Sequence, residues 1–258
     1  LSLVEEQMMD MVRHEDIMLS VDGSRIGQVN GLAVYDMGDY SFGKLGRITC
    51  TVSMTREGIF NIERASRLSG KIHDKGIFIL GSFLNAVLAK EDPMGIAASV
   101  CFEQSYGTID GDSATVAELV AILSSLAEIP VHQHVAMTGS LNQFGDVQPV
   151  GGINEKVEGF FKTARLIGKG KSYDVLVPYQ NVPNLMLHSQ VRAAIDARKF
   201  RIFPIRSIND AFELATGVPL GYSHVQHDTF PEGSALALIV AKLAKLRRHK
   251  KAHKHDQN

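Results

Sequence analysis

Hydrophobic and polar positions along this chain change period repeatedly, and the changes mark out strands and helices in alternation. From Gly46 to Met54 the period is two, with Ile48, Cys50, Val52 and Met54 on one side, which predicts a strand with one buried face. Ile26 to Tyr35 alternates more weakly around Gly31 and predicts another strand. Ser69 to Ala89 switches to helical spacing, with Ile72, Gly76, Ile79, Phe83 and Val87 on one face and Pro93 marking the break after it. Met94 to Phe102 is an apolar strand, Ala114 to Leu126 an Ala- and Val-rich helix, and Val135 to Leu141 a strand that turns back as a hairpin at Gly145-Asp146-Val147. Ile153, Val157, Phe160, Ala164 and Ile167 form the apolar stripe of the next helix. A strand at Asp174–Val177, a helix at Val191–Arg198, a strand at Phe200–Pro204 and a helix at Ile208–Thr216 follow. Residues 1–20 mix Leu3, Val4, Met8, Met11, Ile17 and Met18 with acids and predict an amphipathic helical connector. Strands alternate with helices without an internal repeat, so the expected fold class is α/β (α+β) on a mixed sheet.

Two glycine-rich turns place a reactive side chain at the mouth of a predicted helix: Gly111-Asp112-Ser113-Ala114-Thr115 and Pro149-Val150-Gly151-Gly152-Ile153-Asn154-Glu155-Lys156. Read as chemistry, Ser113 is a nucleophile and Lys156 the base that activates it. A lysine accepts a proton only when neutral, so its pKa has to fall from about 10.4 toward roughly 7–8. With Asn154 as N-cap, Lys156 falls in the first helical turn, where the dipole disfavours an ammonium. It also lies at the edge of the apolar stripe, one turn from Phe160, and burial there lowers the pKa further. Ser113 opens the helix that begins at Ala114, whose unpaired N–H groups can hold the oxyanion of a tetrahedral intermediate. The structural alternative is that Ser113 only caps a helix and Lys156 is a solvated first-turn residue.

Taken together, these segments resemble the proteolytic domain of Lon proteases, in the B-type (archaeal-like) branch. The resemblance rests on Val29-Asn30-Gly31-Leu32-Ala33-Val34, Phe102-Glu103-Gln104-Ser105-Tyr106, Gly111-Asp112-Ser113-Ala114, Val135-Ala136-Met137-Thr138-Gly139-Ser140-Leu141 and Pro149-Val150-Gly151-Gly152, in order from about Gly27 to Gly217. It implies Ser113 as nucleophile and Lys156 as general base, 43 residues apart. It also implies a threonine at Thr138 that orients the lysine, and an acidic position at Asp110. A-type members carry proline where Asp112 stands and glycine where Thr115 stands; the B-type pattern has serine at the latter position, so Thr115 adds a methyl behind the nucleophile. The implied fold is the mixed-sheet Lon proteolytic domain with flanking helices. The implied protein is a serine endopeptidase acting on unfolded or misfolded proteins within a homo-oligomeric, hexameric ring. ATP and Mg would be needed only by an AAA+-like module upstream, and no cofactor or metal is expected in this chain. The expected division is a helical connector at residues 1–24, the proteolytic domain at 25–217 and a C-terminal extension at 218–258.

Composition narrows these readings. The first residue is Leu1 rather than Met, which reads as a piece of a longer polypeptide or as the product of processing. Cys50 and Cys101, the two cysteines, stand in apolar strand-like runs and read as buried free thiols, in keeping with the cytoplasm. No stretch approaches 18 uninterrupted apolar residues, so no membrane contact is expected. The net charge of −1 hides an asymmetry: residues 242–258 carry seven Lys and Arg against Asp256, a net of +6, and the remainder is −7. Such a tail suits DNA or another polyanion, or is a solvated terminus, and its three histidines lack the thiols or carboxylates of a zinc site. Ser41-Phe42-Gly43-Lys44 fits S-x-x-K but lacks the accompanying S-D-N and K-T-G elements and reads as a loop. Gly111-x-Ser113-x-Thr115 lacks the second glycine of a nucleophile elbow, and no G-x-x-x-x-G-K-[ST] phosphate loop occurs. Two alternatives remain: a proteolytically silent ring-forming scaffold or nucleic-acid-binding module, which the presence of both Ser113 and Lys156 opposes, and an acyl hydrolase of small molecules, which the long in-order match opposes.

Overall fold

A computed structural model describes residues 3–53, 58–89, 96–224 and 229–255. The predicted inward position Met54, the Met94 start of its strand, and the side chains of Arg247 and of residues 249–258 lie outside the described residues. The strands are β1 (Ser24–Arg25), β2 (Gln28–Asp36), β3 (Ser41–Ser53), β4 (Ile59–Asn61), β5 (Ala97–Phe102), β6 (Val131–His132), β7 (Val135–Met137), β8 (Ser140–Leu141), β9 (Val147–Gln148), β10 (Tyr173–Pro178) and β11 (Phe200–Ile205). The helices are α1 (Leu3–Arg13), α2 (Ile62–Ala65), α3 (Lys71–Leu88), α4 (Thr115–Ala127), α5 (Ile153–Ile167), α6 (Ser189–Asp196), α7 (Ile208–Thr216) and α8 (Ala235–His255). Seven strands form one mixed sheet in the order β11-β10-β7-β2-β3-β5-β4, which bears out the expected α/β class. The β2–β3 and β3–β5 pairs are antiparallel; the other four are parallel.

Both faces of the sheet are covered, as its parallel half requires. Alternate strand residues enter two separate cores: Val29, Ile48, Val135, Met137 and Leu176 pack under α3, α4, α7 and α8, while Leu32, Leu45, Ala136, Val175 and Val177 pack under α5 and α6. The helix α4 is buried on nearly every side, because the sheet lies beneath it and helices lie over it. Its two serines are tied to the chain beneath: Ser125 Oγ donates to the Cys50 carbonyl at 2.6 Å, and Ser124 Oγ accepts from Gly27 N at 2.9 Å. Ser207 and Asp210 form a capping box at the start of α7, and Gly217 closes that helix at φ 75°.

Three expectations are corrected. The run Val135–Leu141 is two strands broken at Thr138–Gly139: Thr138 N still donates to the Leu176 carbonyl at 3.2 Å, but the Gly139 backbone leaves the sheet to bond the turn before α4. On α3 the buried face passes through His73, Gly76, Ile77, Leu80, Phe83 and Leu84, leaving Ile72 53 % exposed; the helix is apolar on several sides, so the stripe alone did not fix its rotation. Ser41–Lys44 opens β3 instead of forming a loop. The helix α8 is continuous through His255, with Ala235, Leu236, Ile239 and Leu243 buried against the α4 core. Cys50 is buried, Cys101 partly so, and both are free. Among the described residues no helix is long and apolar enough to cross a membrane.

Close backbone contact seats α5 on β3. A Cβ on Gly43 would overlap the Glu155 carbonyl, and one on Gly159 would overlap the Gly43 backbone. Gly159→Ala gains about 1 kcal/mol of helix propensity, but overlap with backbone that cannot turn aside costs about 1–3 kcal/mol or more. The variant is therefore expected to have a lower urea midpoint than the parent. An unchanged midpoint would mean that α5 is free to shift on β3.

Candidate active site

Ser113 stands two residues before α4, in the turn whose glycine, Gly111, has φ 95°. Ala114, not Ser113, is the N-cap, and its side chain makes no capping bond; Ser113 is thereby released from capping. Its carbonyl accepts two hydrogen bonds from the break between β7 and β8: Gly139 N at 2.9 Å and Thr138 Oγ1 at 3.1 Å. In return Val116 N donates to the Gly139 carbonyl at 3.2 Å. Thr115 adds a third tie, its hydroxyl donating to the Asp112 carbonyl and accepting from Leu141 N, both at 2.9 Å. The N–H groups of Thr115 and Val116 are thus occupied, contrary to the expectation that the first helical turn is open. Those of Ser113 and Ala114 make no hydrogen bond among the described residues.

Lys156 lies on α5, which the chain reaches from the same break. The β8–β9 hairpin leads into Pro149–Gly152, where Asn181 holds both the N–H and the carbonyl of Val150 at 2.9 Å. The N-cap is Gly152 at φ 64°, not Asn154. A side chain at 152 would run into Val34, so only glycine fits this turn, and the helix starts one residue after it. Asn154 instead fastens the segment after the 3-10 turn Tyr179–Asn184, accepting from Met186 N at 2.7 Å and donating to the Asn184 carbonyl at 3.2 Å. Lys156 remains in the first turn, its N–H bonded to the Gly152 carbonyl at 3.0 Å, and is only 3 % exposed. Burial pushes its pKa from 10.5 down to about 8, against the opposing pull of the Asp112 and Glu155 carboxylates.

The two turns meet electrostatically through Asp112. Its carboxylate accepts from Ser140 Oγ at 2.8 Å and acts on the Lys156 charge, one residue from Ser113. None of the hydrogen bonds among the described residues joins Ser113 Oγ directly to Lys156 Nζ. Thr138, expected to orient Lys156, gives its hydroxyl to the Ser113 carbonyl, because the strand break aims it at the turn. Asp110 faces away toward α3, accepting from Ile72 N at 3.3 Å and Gly111 N at 2.9 Å. Sequence reasoning missed Ser140 and gave Asp112 only as a family marker. No periodicity signals either role, since both depend on the break at Thr138–Gly139. Among the described residues no group of three or more His, Cys, Asp or Glu is placed to hold a metal ion.

Residues 103–216 match the family model described as the Lon protease (S16) C-terminal proteolytic domain. A protein of Escherichia coli strain K12 named a Lon protease homolog is 42 % identical over 211 residues, covering 81 % of this chain and 36 % of that protein. A Haemophilus influenzae protein of the same name is 38 % identical over 216 residues, covering 83 % of this chain and 36 % of its own length. The archaeal Lon protease of Thermoplasma volcanium is 32 % identical over 198 residues, 75 % of this chain and 28 % of the relative. The chain spans about a third of the length of these relatives.

A lysine buried at this depth destabilises the fold while it is charged. Its pKa of about 8 in the folded state lies below 10.5, so between those values the unfolded chain binds more protons and stability rises with pH. Below about pH 8 both states are protonated and the penalty is full, up to about 3 kcal/mol at 1.36 kcal/mol per pH unit. Lys156→Met keeps the volume without the charge. It is expected to raise the melting temperature at pH 7, by an amount that shrinks toward pH 10.5. A gain that is absent, or that grows with pH, would show that Lys156 is not held near neutrality by burial.

Proposed function

We propose that this chain, which belongs to the Lon protease family, hydrolyses peptide bonds with Ser113 as nucleophile and Lys156 as its general base. The observation that carries the proposal is the burial of Lys156, with a pKa near 8, on the helix that the chain enters from the turn-holding break at Thr138–Gly139. A base of that pKa is half neutral near working pH, which is where general-base catalysis is efficient.

In the proposed cycle Ser113 Oγ attacks the scissile carbonyl carbon and its proton passes to Lys156 Nζ. The amides of Ser113 and Ala114, which have no partner among the described residues, are the donors available to the developing oxyanion. Lys156 then gives the proton to the leaving amine as the carbon–nitrogen bond breaks, leaving an acyl ester on Ser113. A water deprotonated by Lys156 attacks that ester, and the proton returns to Ser113 as the acid departs. Thr138 and Asp112 act as positioning residues, the first on the Ser113 carbonyl and the second on the Lys156 charge. The proposal extends to unfolded or misfolded proteins as substrates, a hexameric ring, a cytoplasmic setting, and ATP and Mg acting in an AAA+-like module outside this chain. The relatives' names as proteases, and the chain's span of about a third of their length, support that extension. Contact of the tail with DNA or another polyanion is proposed on its net charge of +6 alone.

Casein cleavage tests the dyad. Ser113→Ala or Lys156→Ala should each remove cleavage almost completely, and the double variant should be little worse, because the two act as a unit. The wild-type rate should climb with pH through the Lys156 pKa of about 8, since the neutral amine is the active form. Lys156→Ala retaining more than about a tenth of the rate would remove the lysine from the mechanism.

Thr138→Val keeps the shape and deletes the bond to the Ser113 carbonyl, a loss of about 1–3 kcal/mol. Turnover should fall by about 5- to 150-fold, with the urea midpoint showing a folded protein. A wild-type rate in that variant would reduce Thr138 to an ordinary residue of the strand break.

A further inference from the structure

A second charged pair lies behind the Ser113 turn and takes no part in the chemistry proposed above. His73 on α3 and Glu118 on α4 are both fully buried, with His73 Nε2 3.1 Å from Glu118 Oε1. His73 Nδ1 lies 2.8 Å from Ser69 Oγ, and Ser69 Oγ donates to Asp74 Oδ1 at 2.6 Å. With Asp74 and Glu118 as carboxylates, the donor count gives the state of the imidazole. The Ser69 hydrogen is given to Asp74, so Ser69 can only accept from Nδ1–H; the Glu118 carboxylate can only accept from Nε2–H. Both ring nitrogens therefore donate, and His73 is an imidazolium. The other groups facing it are Glu63 from α2 and Asp74 from its own helix, with Arg64 3.8 Å from Asp74 and the Phe102 ring edge-on at 5.5 Å.

The first turns of α3 also carry the loop that ends in Ser113. Gly70 N donates to the Ile109 carbonyl and Ile109 N to the Leu68 carbonyl, both at 2.8 Å, and Asp110 accepts from Ile72 N. At Gly76 a Cβ would come within 2.7 Å of the Thr115 methyl and 3.5 Å of Asp112 Cβ, so α3 abuts both sides of Ser113. We propose that the His73–Glu118 ion pair is a clamp that locks α3 onto α4 and so positions the Ser113 turn, making His73 and Glu118 positioning residues. The inference rests on the reading of Ser113 as nucleophile.

The clamp depends on pH in the opposite sense to the base. Burial lowers the His73 pKa, but the hydrogen bond and charge of Glu118, with the charges of Glu63 and Asp74, outweigh it and raise the pKa above the ordinary histidine value. A raised pKa in the folded state means that the clamp is present at low pH and lost as pH rises through that value. Glu118 Oε2 has no partner among the described residues, so once His73 is neutral the buried carboxylate is uncompensated. Loss of the clamp as His73 becomes neutral should then pull the rate down as pH rises, opposing the gain as Lys156 becomes neutral.

The test uses the full chain as it exists. It measures kcat and KM for a casein-derived peptide from pH 6 to 10 in wild type, Glu118→Gln, His73→Gln and Ser113→Ala, together with amide hydrogen exchange over residues 109–115. In Glu118→Gln, which keeps the volume, that downward pull should set in about one pH unit or more lower, with kcat at pH 8 down about tenfold and KM within about twofold, because the turn and not the binding surface is misplaced. Exchange at 109–115 should quicken about tenfold in both clamp variants. A wild-type pH profile of kcat together with wild-type exchange at 109–115 would overturn the clamp, whereas a lowered melting temperature alone is what a merely structural role gives. Cleavage surviving in Ser113→Ala would instead overturn the nucleophile reading, and the exchange measurements would still judge the clamp. If His73→Gln does not fold, Glu118→Gln decides.

Discussion

The candidate site depends on one exchange of hydrogen bonds, between the sheet as it breaks at Thr138–Gly139 and the chain as it enters α4. Gly139 N and the Thr138 hydroxyl converge on the Ser113 carbonyl while Val116 N returns a bond to Gly139. Because the strand stops there, the next residue, Ser140, is free to reach the Asp112 carboxylate. The chain can then run through a two-strand hairpin to deliver Lys156 on the opposite face of the sheet. An unbroken strand would have spent the Gly139 amide on a neighbouring strand and left the Ser113 turn without it. A local loss of sheet pairing is therefore what joins two helices that pack in two different cores.

The second constraint is close approach of backbone. A lysine charge is driven toward neutrality only if its helix sits deep against the sheet, and α5 achieves that through glycine facing glycine at Gly43 and Gly159. Phe160, Val157 and Ile153 fill the core beneath and supply the apolar burial that offsets the cost of Lys156. The same substitution that would stabilise the position would remove the proposed base, so at this residue stability and proposed activity oppose each other.

Much of the frame was legible in sequence. The period-two run around Ile48 and Cys50, the apolar stripe from Ile153 to Ile167, and the helix Ile208–Thr216 each follow from local chemistry, and the structure has them. What sequence reasoning misplaced is what tertiary contacts decide. Asn154 looks like an N-cap because its side chain can cap, but Gly152 against Val34 fixes the start of the helix and releases Asn154 to hold the segment near Met186. The run through Val135–Leu141 looks continuous because every residue in it suits a strand, and only the Ser113 turn explains why it is not. His73 and Glu118 gave no signal at all, since a buried imidazole and carboxylate read as surface residues until two helices bring them together.

Asp112 shows how these pieces combine. Where A-type relatives are expected to carry proline, this chain has a carboxylate that Ser140 holds in place and that acts on Lys156. A carboxylate there favours the ammonium and so works against the burial that would make the lysine neutral. Burial is the larger effect, so the pKa falls, and the Asp112 and Glu155 carboxylates hold it at about 8 instead of lower still. A base far below that value would be neutral but too weak to take a serine proton, and one left at 10.5 would be charged and unable to accept. The two opposing influences are set by different elements, the depth of α5 on β3 and the break after β7, so neither can be altered without moving the balance at the proposed base.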